Sequence, residues 1–99
     1  MALDTKPFDP AEYLDDPEAI AAYLTEAFET GDPAFIADSI GVVARAVGMA
    51  RIAKAAGLSR ESLYRSLSVE GHPEFSTVLK VLGALGVEIK AVPAHEKAA

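Results

Sequence analysis

The residues best suited to chemistry lie between positions 59 and 68, in the sequence SRESLYRSLS. In a helix this segment would expose two arginines, a glutamate and a tyrosine on its outer side. An arginine can donate two hydrogen bonds to guanine O6 and N7, and a glutamate can accept one from cytosine N4. The pattern therefore predicts a helix that reads base edges in the major groove of DNA. The predicted base-reading residues are Ser59, Arg60, Glu61, Tyr64, Arg65 and Ser68.

Basic residues are concentrated around this segment, although the chain of 99 residues has a formal net charge of -6. Residues 39–68 hold five cations and one carboxylate, whereas residues 1–38 hold ten carboxylates and one cation. Such an asymmetry indicates separate surfaces for separate partners, or else solvated charges that are unevenly distributed. Three of the cations precede the segment and are predicted to contact DNA phosphates, which set the register of a bound protein: Arg45, Arg51 and Lys54.

Two short helices joined by a glycine-containing turn would position these side chains. Residues 49–56 form the first predicted helix, and Gly57 can adopt the positive φ that ends it. Ser59 is the predicted N-cap of the second helix, which buries Leu63 and Leu67. This is the arrangement of a helix-turn-helix motif. The alternative is a pair of alanine-rich helices that only packs in the core.

Further helices are predicted on both sides of this pair. Asp16-Pro17 and Asp32-Pro33 each combine an N-cap aspartate with proline at the first helical position. Ser76 is the predicted N-cap of a last helix, which ends at a glycine. The expected architecture is an all-α, five-helix domain over residues 17–92, with an N-terminal arm (1–16) and a C-terminal tail (93–99).

Residues 87–92 alternate apolar and polar side chains, a pattern that predicts a short β-strand. A lone strand needs a partner, and the strand of a second copy would supply one. The sequence therefore predicts a homodimer, with Val87, Ile89 and Val92 near the two-fold axis. The alternative is that this segment packs back on its own domain.

Catalytic and metal-binding chemistry has little support in the sequence. Asp15 and Asp16 form a carboxylate pair, but their position before Pro17 favours helix capping. Neither His72 nor His95 has a partner at metal-ligand spacing, the chain has no cysteine, and it has no glycine-rich phosphate loop. We therefore expect no enzymatic activity, no metal and no cofactor. No apolar run approaches the roughly 20 residues of a membrane span, and no signal peptide is evident, so we expect a soluble cytoplasmic protein.

The segment IAKAAGLSRESLYRSLSVEGHPEFSTVLKVLGALGVEI resembles the lambda-repressor-like (Cro, Xre) DNA-binding domains. The longer region from Phe8 to Val92, which includes AEYL, GDP and MARIAKAAGLSRESLYRSLS, is similar to the HigA-like probable addiction-module antidotes. This resemblance implies neutralisation of a small basic RelE/ParE-like (HigB-like) toxin and repression of the chain's own promoter on double-stranded operator DNA. One position departs from the pattern: Met49 stands where many lambda-repressor-like domains have a phosphate-contacting Gln or Thr. That contact is therefore either absent here or replaced, with Arg51 as the candidate replacement.

The acidic N-terminal region is a candidate surface for such a toxin, because complementary charge speeds association. Its predicted anchors are Phe8, Tyr13 and Leu14, unless these side chains attach the arm to the domain's own core. The alternative function is a stand-alone helix-turn-helix regulator without a toxin partner, and a third is a module that binds only protein. A small basic open reading frame beside the gene would favour the antitoxin, and salt-dependent promoter binding would exclude the protein-only module.

Overall fold

The computed structural model describes Leu14 and residues 16–94. These residues form five α-helices and no β-strand, which confirms the all-α, five-helix prediction. The helices are α1 (Pro17–Glu29), α2 (Pro33–Val47), α3 (Met49–Ala56), α4 (Arg60–Ser66) and α5 (Phe75–Leu85).

Aspartate caps begin the first two helices, as predicted. Asp16 accepts a hydrogen bond from the Ala19 backbone N–H at 2.8 Å, and proline follows it at the first helical position. Asp32 accepts from the Ala34 backbone N–H at 3.1 Å in the same way at the start of α2. Each carboxylate thus satisfies an N–H that has no partner within its helix.

The turn between α3 and α4 also has the predicted geometry. Gly57 adopts a left-handed conformation with φ of 71°, and the next backbone N–H, that of Leu58, donates to the Ala53 carbonyl at 2.9 Å. The Ser59 hydroxyl accepts from the Ser62 N–H at 3.1 Å and caps α4. Only three residues therefore separate the two helices, and each of them has a defined role: Gly57 ends α3, Leu58 packs against the core and Ser59 begins α4.

Helix α2 is the centre of the fold, because each of the other four helices packs on it. Its Ile40, Val43 and Ala44 are completely buried. Helix α3 packs in addition on α4 and α5. The core draws on all five helices, and its buried members are Leu14, Ile20, Leu24, Ile40, Val43, Ala44, Met49, Ile52, Ala53, Leu63, Leu67, Val81, Leu82 and Leu85.

The structure corrects the predicted strand. Residues 87–92 form neither helix nor strand, and no β-strand occurs in residues 16–94 with which they could pair. A strand is defined by hydrogen bonds to a neighbour, so the alternating pattern alone does not produce one. Val87 instead donates its N–H to the Leu82 carbonyl at 3.0 Å and packs at the edge of the core. Ile89 and Val92 remain exposed.

One predicted helix start also differs. Helix α5 begins at Phe75 after Glu74, so Ser76 lies inside the first turn and is not the N-cap. On α5, Val81 is completely buried, whereas Leu79 is 46% exposed. Because α5 is apolar over most of its surface, periodicity does not identify its buried face. On α1, Phe28 lies at the edge of the buried face and is 40% exposed.

Among the helices of residues 16–94, none has by itself the length and apolar composition of a membrane span. Helices α2 and α3 meet these criteria only when taken together, and the chain bends by 107° between them.

Candidate nucleic-acid interface

Helix α4 presents four of the predicted base-reading side chains to solvent. It is anchored from below by Leu63 and by Leu67 at its C-terminal cap, both almost completely buried. The side chains around this anchor are all exposed: Arg60, Glu61, Tyr64 and Arg65. Tyr64 exposes 47% of its surface although it is a large aromatic residue. The surface therefore combines two guanidinium groups, one carboxylate and one phenol on seven residues of helix.

The two serines of the predicted site have structural hydrogen bonds. Ser59 uses its hydroxyl oxygen as the N-cap of α4. Ser68 is half-buried beyond the helix end, and its hydroxyl donates to the Arg65 carbonyl at 3.0 Å. Both side chains thus hold the ends of α4, and Ser68 is less accessible to a ligand than the four exposed residues.

The three cations predicted to contact phosphate are exposed and lie on two different helices. Arg45 lies in the last turn of α2, and its Nη1 atom lies 3.2 Å from the position that a β-carbon on Gly41 would occupy. The backbone carbonyl of Leu67 lies against the same position. Arg45 is therefore close to the C-terminal end of α4. Lys54 lies in the last turn of α3, just before the turn to α4.

Arg51 has a different environment. It lines a separate groove of about 240 Å³, together with Pro17 from α1 and Leu85 from α5. Met49 is 4% exposed and belongs to the core. At the position where many lambda-repressor-like domains have a Gln or Thr, this chain therefore has a packing residue. Arg45 thus lies beside the end of α4, whereas Arg51 lines a groove that includes no residue of α4.

Gly41 is a residue of the site that sequence reasoning missed. A β-carbon at this position would collide with the Leu67 carbonyl oxygen, so only glycine lets α2 approach the end of α4 this closely. The sequence does contain a signal for this contact, an isolated glycine within the apolar helical pattern of residues 33–47. Such a glycine lowers the stability of the helix, and one reason for its presence is a close backbone contact.

The residues predicted to contact a toxin are largely outside this surface. Phe8 and Tyr13 lie outside the described residues. Leu14 is 1% exposed and belongs to the core cluster. This position agrees with the alternative in which the arm attaches to the domain's own core. Its side chain is therefore not accessible to a partner. Among the described residues, no group of three or more His, Asp or Glu side chains is arranged to hold a metal ion.

Comparisons with known proteins agree with one another over nearly the whole chain. A family profile described as "probable addiction module antidote protein" matches residues 4–93. An uncharacterized protein of Haemophilus influenzae is 42% identical over 90 residues, which cover 91% of this chain and 93% of the relative. No solved structure matches significantly. The chain belongs to the family of probable addiction module antidote proteins, and membership of that family implies a toxin as its partner.

Proposed function

We propose that the protein is the antitoxin of a type II toxin–antitoxin module, which neutralises a small basic RelE/ParE-like (HigB-like) toxin and represses its own operon by binding operator DNA. The observation that carries the DNA-binding part is the exposed surface of α4, with Arg60 and Arg65 on a short, capped helix. The toxin-binding part rests on the family, since an antidote requires a toxin. The role is one of binding, without catalysis.

The dimensions and chemistry of α4 suit the major groove. An α-helix with its side chains is about 10–12 Å in diameter, which fits the major groove of about 12 Å, and the seven residues of α4 make about two turns. Arg60 and Arg65 would donate to guanine, and Glu61 would accept from cytosine. The cap at Ser59 orients the first turn of the helix, whose residues enter the groove in a helix-turn-helix protein.

Phosphate contacts would come from the ends of the neighbouring helices. Arg45 near the end of α4 and Lys54 before the turn are exposed and close to the proposed reading helix. Since the chain as a whole carries a net charge of -6, its attraction to DNA has to be local. The binding constant should therefore fall steeply with added salt, through the few cations around α4.

We also propose that the protein binds its operator as a homodimer. Two copies of α4 related by a two-fold axis would read half-sites about 34 Å apart, or a multiple of that distance. A pseudo-palindromic promoter is the expected DNA partner.

The test uses the gene's own neighbourhood. The product of the adjacent small open reading frame is co-expressed with this protein, and the complex is purified through a tag on one partner. We expect a stable complex, relief of growth arrest, and binding of the full-length protein to its promoter with a clear salt dependence. Promoter binding without any complex would favour the stand-alone regulator. A complex without promoter binding would contradict the DNA-binding part.

A further inference from the structure

A second exposed surface lies along α1 and includes no residue of α4. Here the C-terminal half of α1 and residues 87–92 enclose a groove of about 520 Å³. Leu24 and Leu82 form part of its lining and are almost completely buried. The proposed function as stated so far makes no use of this groove.

The edges of the groove are unusually apolar for an exposed surface. Phe28 is 40% exposed, Ile89 is 44% exposed and Val92 is 75% exposed, and all three line the groove. Three large apolar side chains converging on one concave surface, with charged residues beside them, are typical of a protein-binding site. Single exposed apolar residues would need no such explanation.

The charge of this surface is negative. Glu29 and Glu88 line the groove against a single cation, Lys90. Helix α1 adds Glu18 and Glu26, and no Lys, Arg or His occurs between residues 16 and 38. A partner segment that fills the groove should therefore carry positive charge around its apolar side chains.

We infer that this groove binds a segment of the toxin in which apolar side chains are flanked by lysine or arginine. The inference rests on the proposed antitoxin function and names the surface that would carry it out. Two other occupants fit the charge less well. A second copy would bring the same carboxylates, and the chain's own residues 1–13 contain three carboxylates and one lysine.

The groove and the arginine surface are built from different residues. No residue of α4 lines the groove, and α4 packs on α2 and α3, whereas α1 packs on α2. We therefore expect a toxin bound in the groove to leave Arg60 and Arg65 free to contact DNA. One antitoxin would then hold toxin and operator at the same time.

Two phenylalanines of similar exposure provide a matched test. Phe28 lines the groove, whereas Phe35, 48% exposed, lies on α2 and is not part of the groove lining. The full-length Phe28→Ala and Phe35→Ala variants are titrated with the product of the adjacent gene by calorimetry. We expect Phe28→Ala to weaken binding at least about tenfold and Phe35→Ala to change it by less than about twofold. Thermal melts verify that both variants fold.

A second variant tests the contribution of the groove's negative charge to toxin binding. Glu29→Gln should make toxin binding weaker at low salt and less dependent on salt than it is in the wild type, because one favourable charge pair is lost. The two groove variants, Phe28→Ala and Glu29→Gln, are also titrated with promoter DNA, and their affinity for it should equal that of the wild type.

Three results would overturn the inference. Unchanged toxin binding by Phe28→Ala, with the wild type still binding, would assign the toxin to another surface and leave the antitoxin function intact. A wild type that does not bind the adjacent product at all would remove the antitoxin function and this inference with it. Sedimentation that shows a dimeric wild type and a monomeric Phe28→Ala variant would assign the groove to a second copy.

Discussion

The surfaces of α1 and α4 differ more in chemistry than in construction. Both helices pack on α2, and both begin with a side-chain cap, Asp16 in α1 and Ser59 in α4. Yet α1 exposes carboxylates beside an apolar groove, whereas α4 exposes two arginines and a tyrosine. An apolar groove with acidic edges suits a basic protein segment, and a convex helix with guanidinium groups suits nucleic acid.

This difference indicates that one small core can support two unrelated binding surfaces. The buried side chains of both helices are almost entirely aliphatic and contribute to the same cluster. Substitutions on the exposed faces should therefore affect one partner at a time, while substitutions in the shared core should affect both. The following variants test that separation, beginning with the largest expected effect.

Leu63→Ala should impair binding at both surfaces, because it destabilises the core that they share. Leu63 is 1% exposed beneath α4 and belongs to the common core. Its truncation leaves a cavity, and we expect a loss of about 2–5 kcal/mol in the free energy of unfolding, measured by urea denaturation. The control is Leu79→Ala on α5, because Leu79 is 46% exposed and its loss should cost much less. Equal stability of the two variants would contradict the position of Leu63 in the core.

Arg60→Ala and Arg65→Ala should affect the α4 surface alone. If each guanidinium reads a base, operator binding should weaken by about 1–3 kcal/mol in fluorescence anisotropy titrations. Thermal stability should stay unchanged because both side chains are exposed. Toxin affinity should stay unchanged because neither side chain lines the groove beside α1. Lys80→Ala on α5 removes the same charge from a different exposed position and serves as the control. A loss of affinity shared equally by Lys80→Ala would indicate general electrostatics instead of base reading.

Two helical glycines should respond with opposite signs to the same substitution. Gly41→Ala introduces a methyl group against the Leu67 carbonyl, so we expect destabilisation of about 1–3 kcal/mol and weaker operator binding as α4 shifts. Gly83→Ala on α5 meets no atom within 4 Å and should stabilise the protein by about 0.5–1 kcal/mol. Chemical denaturation of the two variants gives both values. Stabilisation by Gly41→Ala would contradict the close contact between α2 and α4.

Substitutions of Ser59 should have the smallest effect on stability, and they distinguish helix capping from base reading. Ser59→Ala should cost about 1 kcal/mol of stability because the Ser62 N–H loses its partner, whereas Ser59→Gly should cost only a few tenths. Thermal melts of both variants test the cap. Operator affinity that falls equally in both, without relation to stability, would show that the hydroxyl contacts DNA directly.

Much of the fold follows from local signals in the sequence. The Asp-Pro pairs, Gly57 and Ser59 specify helix starts and a turn through hydrogen bonds within a few residues, so their positions are predictable from the chain alone. The exposed face of α4 is equally local, because the burial of Leu63 and Leu67 determines which side chains point outward.

The features that the sequence could not predict depend on distant contacts. The strand predicted over residues 87–92 is not found in the single chain, because a strand requires a paired neighbour that alternation alone does not provide. The position of Arg51 beside Pro17 and Leu85 depends on how α3 packs between other elements. The groove at Phe28 arises because residues 87–92 run alongside α1, and the periodicity of α1 contains no information on that neighbour.

The separation of the two surfaces is tested most directly by a mobility-shift assay on promoter DNA with and without the product of the adjacent gene. We expect the wild type to shift the DNA, and the toxin to shift that complex further. Phe28→Ala should give the first shift without the second, and Arg65→Ala should lose the first while still binding the toxin in solution. A toxin that displaces the wild type from DNA, or a Phe28→Ala variant that retains the second shift, would contradict this account.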